Sequence, residues 1–142
     1  MQELATVLDK EYDARRFGAL LDKGMAAYHT KLFNDTSVGY GRGSQCSNMM
    51  ALVANVTPNA TVSQATCTAL LRDIVTTHSK HLNLGIVGTT FIFDLLGTLG
   101  QHSLALDLLL DDSFPSFGYM LANNATTWWE AWEGTVNEQV RK

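Results

Sequence analysis

Apolar positions along most of the chain recur at the period of a helix. Between residues 12 and 33, Phe17, Leu21, Met25, Tyr28 and Leu32 are spaced by 4, 4, 3 and 4 residues, which sets them on one helical face. Asp9 stands where it can cap that helix. A run of turn residues follows, Asn34-Asp35-Thr36-Ser37 and Gly39-Tyr40-Gly41-Arg42-Gly43, before Cys46, Met49, Met50 and Val53 restart the period. The second helix ends near Pro58, and a third runs from about Thr61 to His78 with Leu70, Leu71, Ile74 and Val75 facing inward. Two more segments, 86–99 and 103–110, are apolar on nearly every side and are separated only by a turn at Gly100 and Gln101. Helices without a polar face are expected to lie between neighbours. Segment 86–99 should therefore be the most buried, touching both 46–53 and 104–110.

Amphipathic and fully apolar helices joined in succession predict an all-α, antiparallel array of helical hairpins in which alternate connections share an end. The connections alternate in character too. Those at 34–43, 79–85 and 111–126 are long and carry Gly, aromatic and amide residues, whereas 56–60 and 100–102 are short and plain. The elaborated loops are thus expected at one end, which is where a site belongs. The array has no closure of its own, so the pattern reads as part of a larger helical domain.

Composition narrows the function. The chain has 142 residues, with 10 Lys plus Arg against 14 Asp plus Glu, a formal charge of −4 and no basic run. That argues against nucleic acid as a partner. No apolar stretch is long enough for a membrane span, and no basic-then-apolar leader opens the chain, so no membrane partner is expected. Charged residues make up 17%, below the usual fraction of about 25%. The two cysteines, Cys46 and Cys67, have no Cys or His at a ligand spacing, and neither a disulfide framework nor a zinc site is supported. Four Asn-X-Thr sequons, at Asn34, Asn55, Asn59 and Asn124, are compatible with a secretory route, although Thr-rich composition also produces them.

The chemistry concentrates near the end of the chain. All three tryptophans, Trp128, Trp129 and Trp132, fall within five positions around Glu130. Indole faces pack against sugar C–H groups while carboxylates and amides bind hydroxyls, so the cluster suits carbohydrate. Thr127-Trp128-Trp129-Glu130 is equally a capping box, with Thr127 as cap and Glu130 reaching back to a free amide. His78 and His81, with Asp73 upstream, could be half of a metal site, but basic side chains are also favoured at a helix C-terminus, and no third ligand is spaced to complete it. Asp94 lies within an apolar run and is read as solvent-facing or paired rather than as lining a cavity. Arg42 and Gln45 stand on the elaborated rim, as hydroxyl ligands or as ordinary loop residues.

Several blocks together resemble the carboxy-terminal half of the catalytic domain of the α-L-rhamnosidases, glycoside hydrolase family 78. They are Gly43-Ser44-Gln45 followed by an apolar helix to Val56-Thr57-Pro58, then His81-Leu82-Asn83-Leu84-Gly85-Ile86-Val87-Gly88-Thr89, then Phe114-Pro115-Ser116-Phe117-Gly118-Tyr119-Met120. Most specific is Ala125-Thr126-Thr127-Trp128-Trp129-Glu130-Ala131-Trp132. The resemblance implies an (α/α)6 toroid, of which residues 1–142 form the carboxy-terminal part. It further implies an inverting hydrolase that removes terminal rhamnose from glycosides or oligosaccharides and needs no cofactor or metal. Glu130 falls on the general base, and Trp128, Trp129, Trp132, Tyr119, Gln45 and His81 fall among the substrate-binding positions. Position N3 of a helix, with its free amides and dipole, would suit an anionic Glu130. The family's general acid has no counterpart in this chain, so the remainder of the catalytic domain is an implied partner and the 142 residues alone are expected to be inactive. A catalytically inactive carbohydrate-binding or interaction module on the same scaffold is the alternative.

Overall fold

In the computed structural model, residues 1–36 and 38–133 are described. Seven α-helices are present among them: α1 (Gln2–Val7), α2 (Glu11–Leu32), α3 (Gln45–Val53), α4 (Ala60–Arg72), α5 (Ile86–Thr98), α6 (His102–Leu110) and α7 (Phe117–Ala122). A π-helical turn, Asp73–Thr77, continues α4. A two-residue antiparallel pair, β1 (Phe33–Asn34) with β2 (Gly39–Tyr40), interrupts the helical pattern where a loop of turn residues is expected.

The short hairpin exists because α3 grips it. Asn48, buried on α3, accepts the Tyr40 amide at 2.8 Å and donates to the Gly43 carbonyl at 3.3 Å. Gly39 permits that approach, since a Cβ there would sit 2.8 Å from Asn48 Oδ1. Tyr40 is fully buried with Ala51 and Val56, and Met25, Tyr28 and Phe33 pack around them. Its hydroxyl meets His29 Nδ1 at 2.8 Å, and burial followed by the neighbouring Tyr28 raises the phenol's pKa.

The main core unites α3 to α6. Met49, Leu70, Ile74, Leu82, Leu84, Ile92, Leu96, Leu104 and Leu108 form one buried cluster. Helices α3 and α5 pack side by side, α3 packs on α4, and α5 packs on α6. The repeating unit is therefore a helical hairpin, α3 with α4 and α5 with α6, and the two hairpins meet through α3 and α5.

Five details differ from the sequence expectation. Segment 86–99 does touch 46–53 and 104–110, yet α3 is the more buried element: Gln45, Asn48, Met49 and Ala51 are buried among its nine residues, compared with Gly88, Ile92 and Leu96 among the thirteen of α5. Among the described residues one stripe of α5 meets neighbours, leaving Ile86, Val87 and Phe91 exposed; Leu106, Leu109 and Leu110 are likewise exposed on α6. Val75 is exposed while Ile74 is buried, because the π turn re-phases the end of the third helix. Leu21 and Leu32 are exposed too, since only part of the apolar face of α2 reaches the aromatic cluster. Asp9 does not cap α2: it adopts a left-handed conformation (φ 53°) where α1 ends, and Lys10 occupies the N-cap position without a side-chain bond.

Candidate functional site

Three segments converge at one end of the array, and side-chain hydrogen bonds join them. Gln45, in the first turn of α3 and 1% exposed, donates from Nε2 to the His81 carbonyl at 3.2 Å and accepts the Asn83 amide on Oε1 at 2.8 Å. Its polar atoms are thus engaged by the 79–85 connection. Trp132 donates its indole N–H to the Leu84 carbonyl at 2.9 Å, bringing the end of the described chain to the same connection. The 111–126 connection joins through His81, whose Nε2 lies 2.8 Å from Ser113 Oγ and 3.5 Å from Asp111 Oδ2. His81 Nδ1 faces the His78 and Ser79 carbonyls at 3.1 and 3.0 Å, so that nitrogen carries a proton. The 79–85 and 111–126 connections thus share an end with the start of α3, whereas the hairpin within the 34–43 connection packs through Tyr40 with Val56 of the short 56–60 connection.

Asp111 is organised by Ser113, which donates to it from both its hydroxyl, at 2.5 Å, and its amide, at 2.7 Å. The Ser113 hydroxyl, then the Ser113 amide, lower the Asp111 pKa; slight desolvation opposes them and His81 adds a smaller pull. A value lower in the folded state than in the unfolded one gives stability that is fully present above about pH 4 and is lost as pH falls through the folded value. Urea midpoints of the parent should accordingly drop on acidification below about pH 4 more steeply than those of Asp111→Asn. Equal acid sensitivity in both would remove this role.

His78 belongs to the same junction. Its Nδ1 is 3.1 Å from Asp73 Oδ2, at an angle too poor for a hydrogen bond, and its Nε2 accepts from Asn83 Nδ2 at 3.0 Å. The two histidines diverge into separate partnerships, and among the described residues no group of three or more His, Cys, Asp or Glu could hold a metal. Asp94 is exposed, as anticipated.

The tryptophan block departs from its expected local structure. Residues 127–133 form bends and turns, and the helix expected to start at Thr127 is not present there. Tertiary aromatic contacts set the path instead: Trp128 and Trp132 both pack on the Phe117 ring, at centroid distances of 4.5 and 5.2 Å, and Trp129 meets Tyr119 edge-on at 6.5 Å. The support a helix N-terminus would give Glu130 is thus missing among the described residues. Glu130 is exposed on this turn, with Trp129 and Trp132 half-buried and Trp128 68% exposed.

Helix α7 carries Phe117 and Tyr119, and sequence reasoning passed over it. Ser116 caps it, accepting the Tyr119 amide at 2.9 Å, which is the signal that could have revealed it. Gly118 lets α7 rest on the preceding loop, because a Cβ there would collide with the Asp111 carbonyl and the Asp112 backbone. Between α7 and the tryptophan block lies a cavity of about 490 Å³, lined by Phe117, Met120, Leu121, Ala125, Thr126, Thr127 and Trp128. A wider groove of about 830 Å³ lies against α4, and its lining, which includes Gln64, Thr68 and Arg72, offers neither a carboxylate nor an aromatic ring.

A helical-hairpin scaffold thus presents tryptophans and an exposed carboxylate from its loop end. The comparisons make the class specific. Residues 1–142 match the family model described as the bacterial α-L-rhamnosidase six-hairpin glycosidase domain, and the chain belongs to that family. An α-L-rhamnosidase of Alteromonas sp. (strain LOR) is 31% identical over 128 residues, covering 89% of this chain and 14% of that protein. The solved α-L-rhamnosidase of Dictyoglumus thermophilum superposes with a TM-score of 0.86 at 35% identity, over 92% of this chain and 15% of the other. That of Streptomyces avermitilis, solved in complex with L-rhamnose, gives 0.80 at 27% identity over 93% and 12%. The chain thus spans about one seventh of the Alteromonas relative's length.

Proposed function

We propose that this chain supplies the general-base part of an inverting α-L-rhamnosidase, as the carboxy-terminal portion of a six-hairpin catalytic domain, acting on terminal rhamnose of glycosides or oligosaccharides. The observation that carries the reading is Glu130, exposed between half-buried tryptophans at the loop end of a chain matched along its whole length by the family model. In an inverting reaction one carboxylate takes a proton from water as that water attacks the anomeric carbon, while a carboxylic acid on the other side of the bond protonates the leaving oxygen. Glu130 has the exposure to act on such a water. Trp129 precedes it and Trp132 lies two residues on, with Tyr119 edge-on to Trp129, and in this reading these rings supply the faces and edges that pack against sugar C–H groups.

The second carboxyl must stand about 6.5–9.5 Å away to leave room for the water. Glu133, three residues along the same turn, takes no part in this reading, and the acid comes from the remainder of the domain. The reading is tested by following hydrolysis of an aryl α-L-rhamnoside by the complete catalytic domain with proton NMR. The first sugar signal should be β-L-rhamnose, with the α anomer growing in only by mutarotation. An initial α product would exclude inversion, and no turnover of any rhamnoside would exclude the enzyme.

A further inference from the structure

The 81–85 connection has a two-sided construction that the proposed chemistry alone does not require. Leu82 and Leu84 are buried in the main core, whereas Asn83 and Gly85 are exposed and His81 is half-buried. Such an alternation is that of an extended chain, in which backbone groups of residues i and i+2 lie along one edge and those of i+1 along the other. The His81 carbonyl and the Asn83 amide share an edge, and the single primary amide of Gln45 engages both. The Leu84 carbonyl belongs to the opposite edge, and there it receives the Trp132 indole N–H. Gln45 therefore acts as a short piece of neighbouring strand, holding one side of a segment whose other side holds the tryptophan two residues beyond Glu130.

We propose that Gln45 is a positioning residue: its buried amide fixes residues 81–84 so that the Leu84 carbonyl anchors Trp132 and, through it, the turn that carries Glu130. Its importance for catalysis rests on the rhamnosidase reading above; the mechanical link to Trp132 does not. Three features favour this role over direct contact with sugar. Gln45 is 1% exposed, both ends of its amide are engaged by backbone, and those bonds cross 36 and 38 residues of sequence. A buried amide so paired is costly to leave half-satisfied, which makes the segment's position definite.

Gln45→Glu converts the clamp into a titratable one. A protonated carboxyl has a donor and an acceptor arranged much as in the amide, and so can bond to both the His81 carbonyl and the Asn83 amide. The carboxylate only accepts, and it meets the His81 carbonyl oxygen with repulsion. The three indole N–H signals of the 142-residue chain can be assigned by single Trp→Phe changes and followed with pH. The parent's own response, to which His78, His81 and Asp111 can contribute, is subtracted.

In Gln45→Glu the Trp132 signal should match the parent at low pH and depart from it as the carboxyl ionises, with Trp128 and Trp129 moving less. A Trp132 signal that follows the parent throughout, or equal shifts of all three indoles, would overturn the link. In the complete catalytic domain the variant should lose about 10- to 100-fold in kcat above the transition, with KM within about twofold. A raised KM with unchanged kcat would instead make Gln45 a sugar contact and overturn the positioning role. Titration of Trp132 in a domain that cleaves no rhamnoside would uphold the clamp and count only against the enzymatic reading. Should Gln45→Glu fail to fold, Gln45→Met, which keeps length without either bond, must displace the Trp132 signal; an unmoved signal there overturns the proposal as well.

Discussion

Replacing Glu130 by Gln in the complete catalytic domain should lower kcat by about 10²–10⁴-fold while leaving KM nearly unchanged. The amide keeps the shape and hydrogen-bonding capacity of the side chain but cannot take a proton from the attacking water. A structural effect is small here, because Glu130 is exposed and lies on a turn rather than in a capping box. Glu133→Gln is the internal control, as an exposed acid on the same turn. Equal losses in the two variants would indicate a general disturbance of the turn, and near-normal turnover by Glu130→Gln would remove the base assignment.

The 142-residue chain, purified alone, should show no turnover of an aryl α-L-rhamnoside and should self-associate with rising concentration. The first expectation follows from the need for a second carboxyl across the bond. The second follows from apolar side chains left facing solvent: Ile86, Val87 and Phe91 on α5, and Leu106, Leu109 and Leu110 on α6, the last 79% exposed. Patches of this kind favour association. Analytical ultracentrifugation over a tenfold concentration range checks it, and a monodisperse, active monomer would contradict both expectations.

Helical periodicity was a sound guide where an element was long and packed on one side. It placed α2, α3, α5 and α6 within a few residues, because the packing of their apolar stripes produces the pattern in the sequence. It failed where tertiary partners decide the outcome. The β1–β2 pair depends on Asn48 from the following helix, and the path of 127–133 depends on Phe117 and on the Leu84 carbonyl. At six residues, α7 is too short to show a period, and its Gly118 is chosen by the loop beneath it. Composition likewise could not show how much of α5 meets neighbours within these residues. In the site, the cluster of Glu130 with its tryptophans was legible as chemistry. The convergence of Gln45, His81 and Trp132 on one connection was not, because their partners are mostly backbone atoms, which leave no mark in the choice of side chains.

The distances along the chain at which contacts are made imply an order of assembly. Four of the principal packing pairs, α1 with α2, α3 with α4, α5 with α6 and α6 with α7, join helices adjacent in sequence, whereas α3 meets α5 across at least 33 residues. The bonds that knit the loop end together reach across 32 to 48 residues. Closing a longer loop costs more entropy, so the hairpins are the units that can form early, each on the one before it, as the chain emerges from synthesis. The loop end is completed only after the hairpins it bridges are in place.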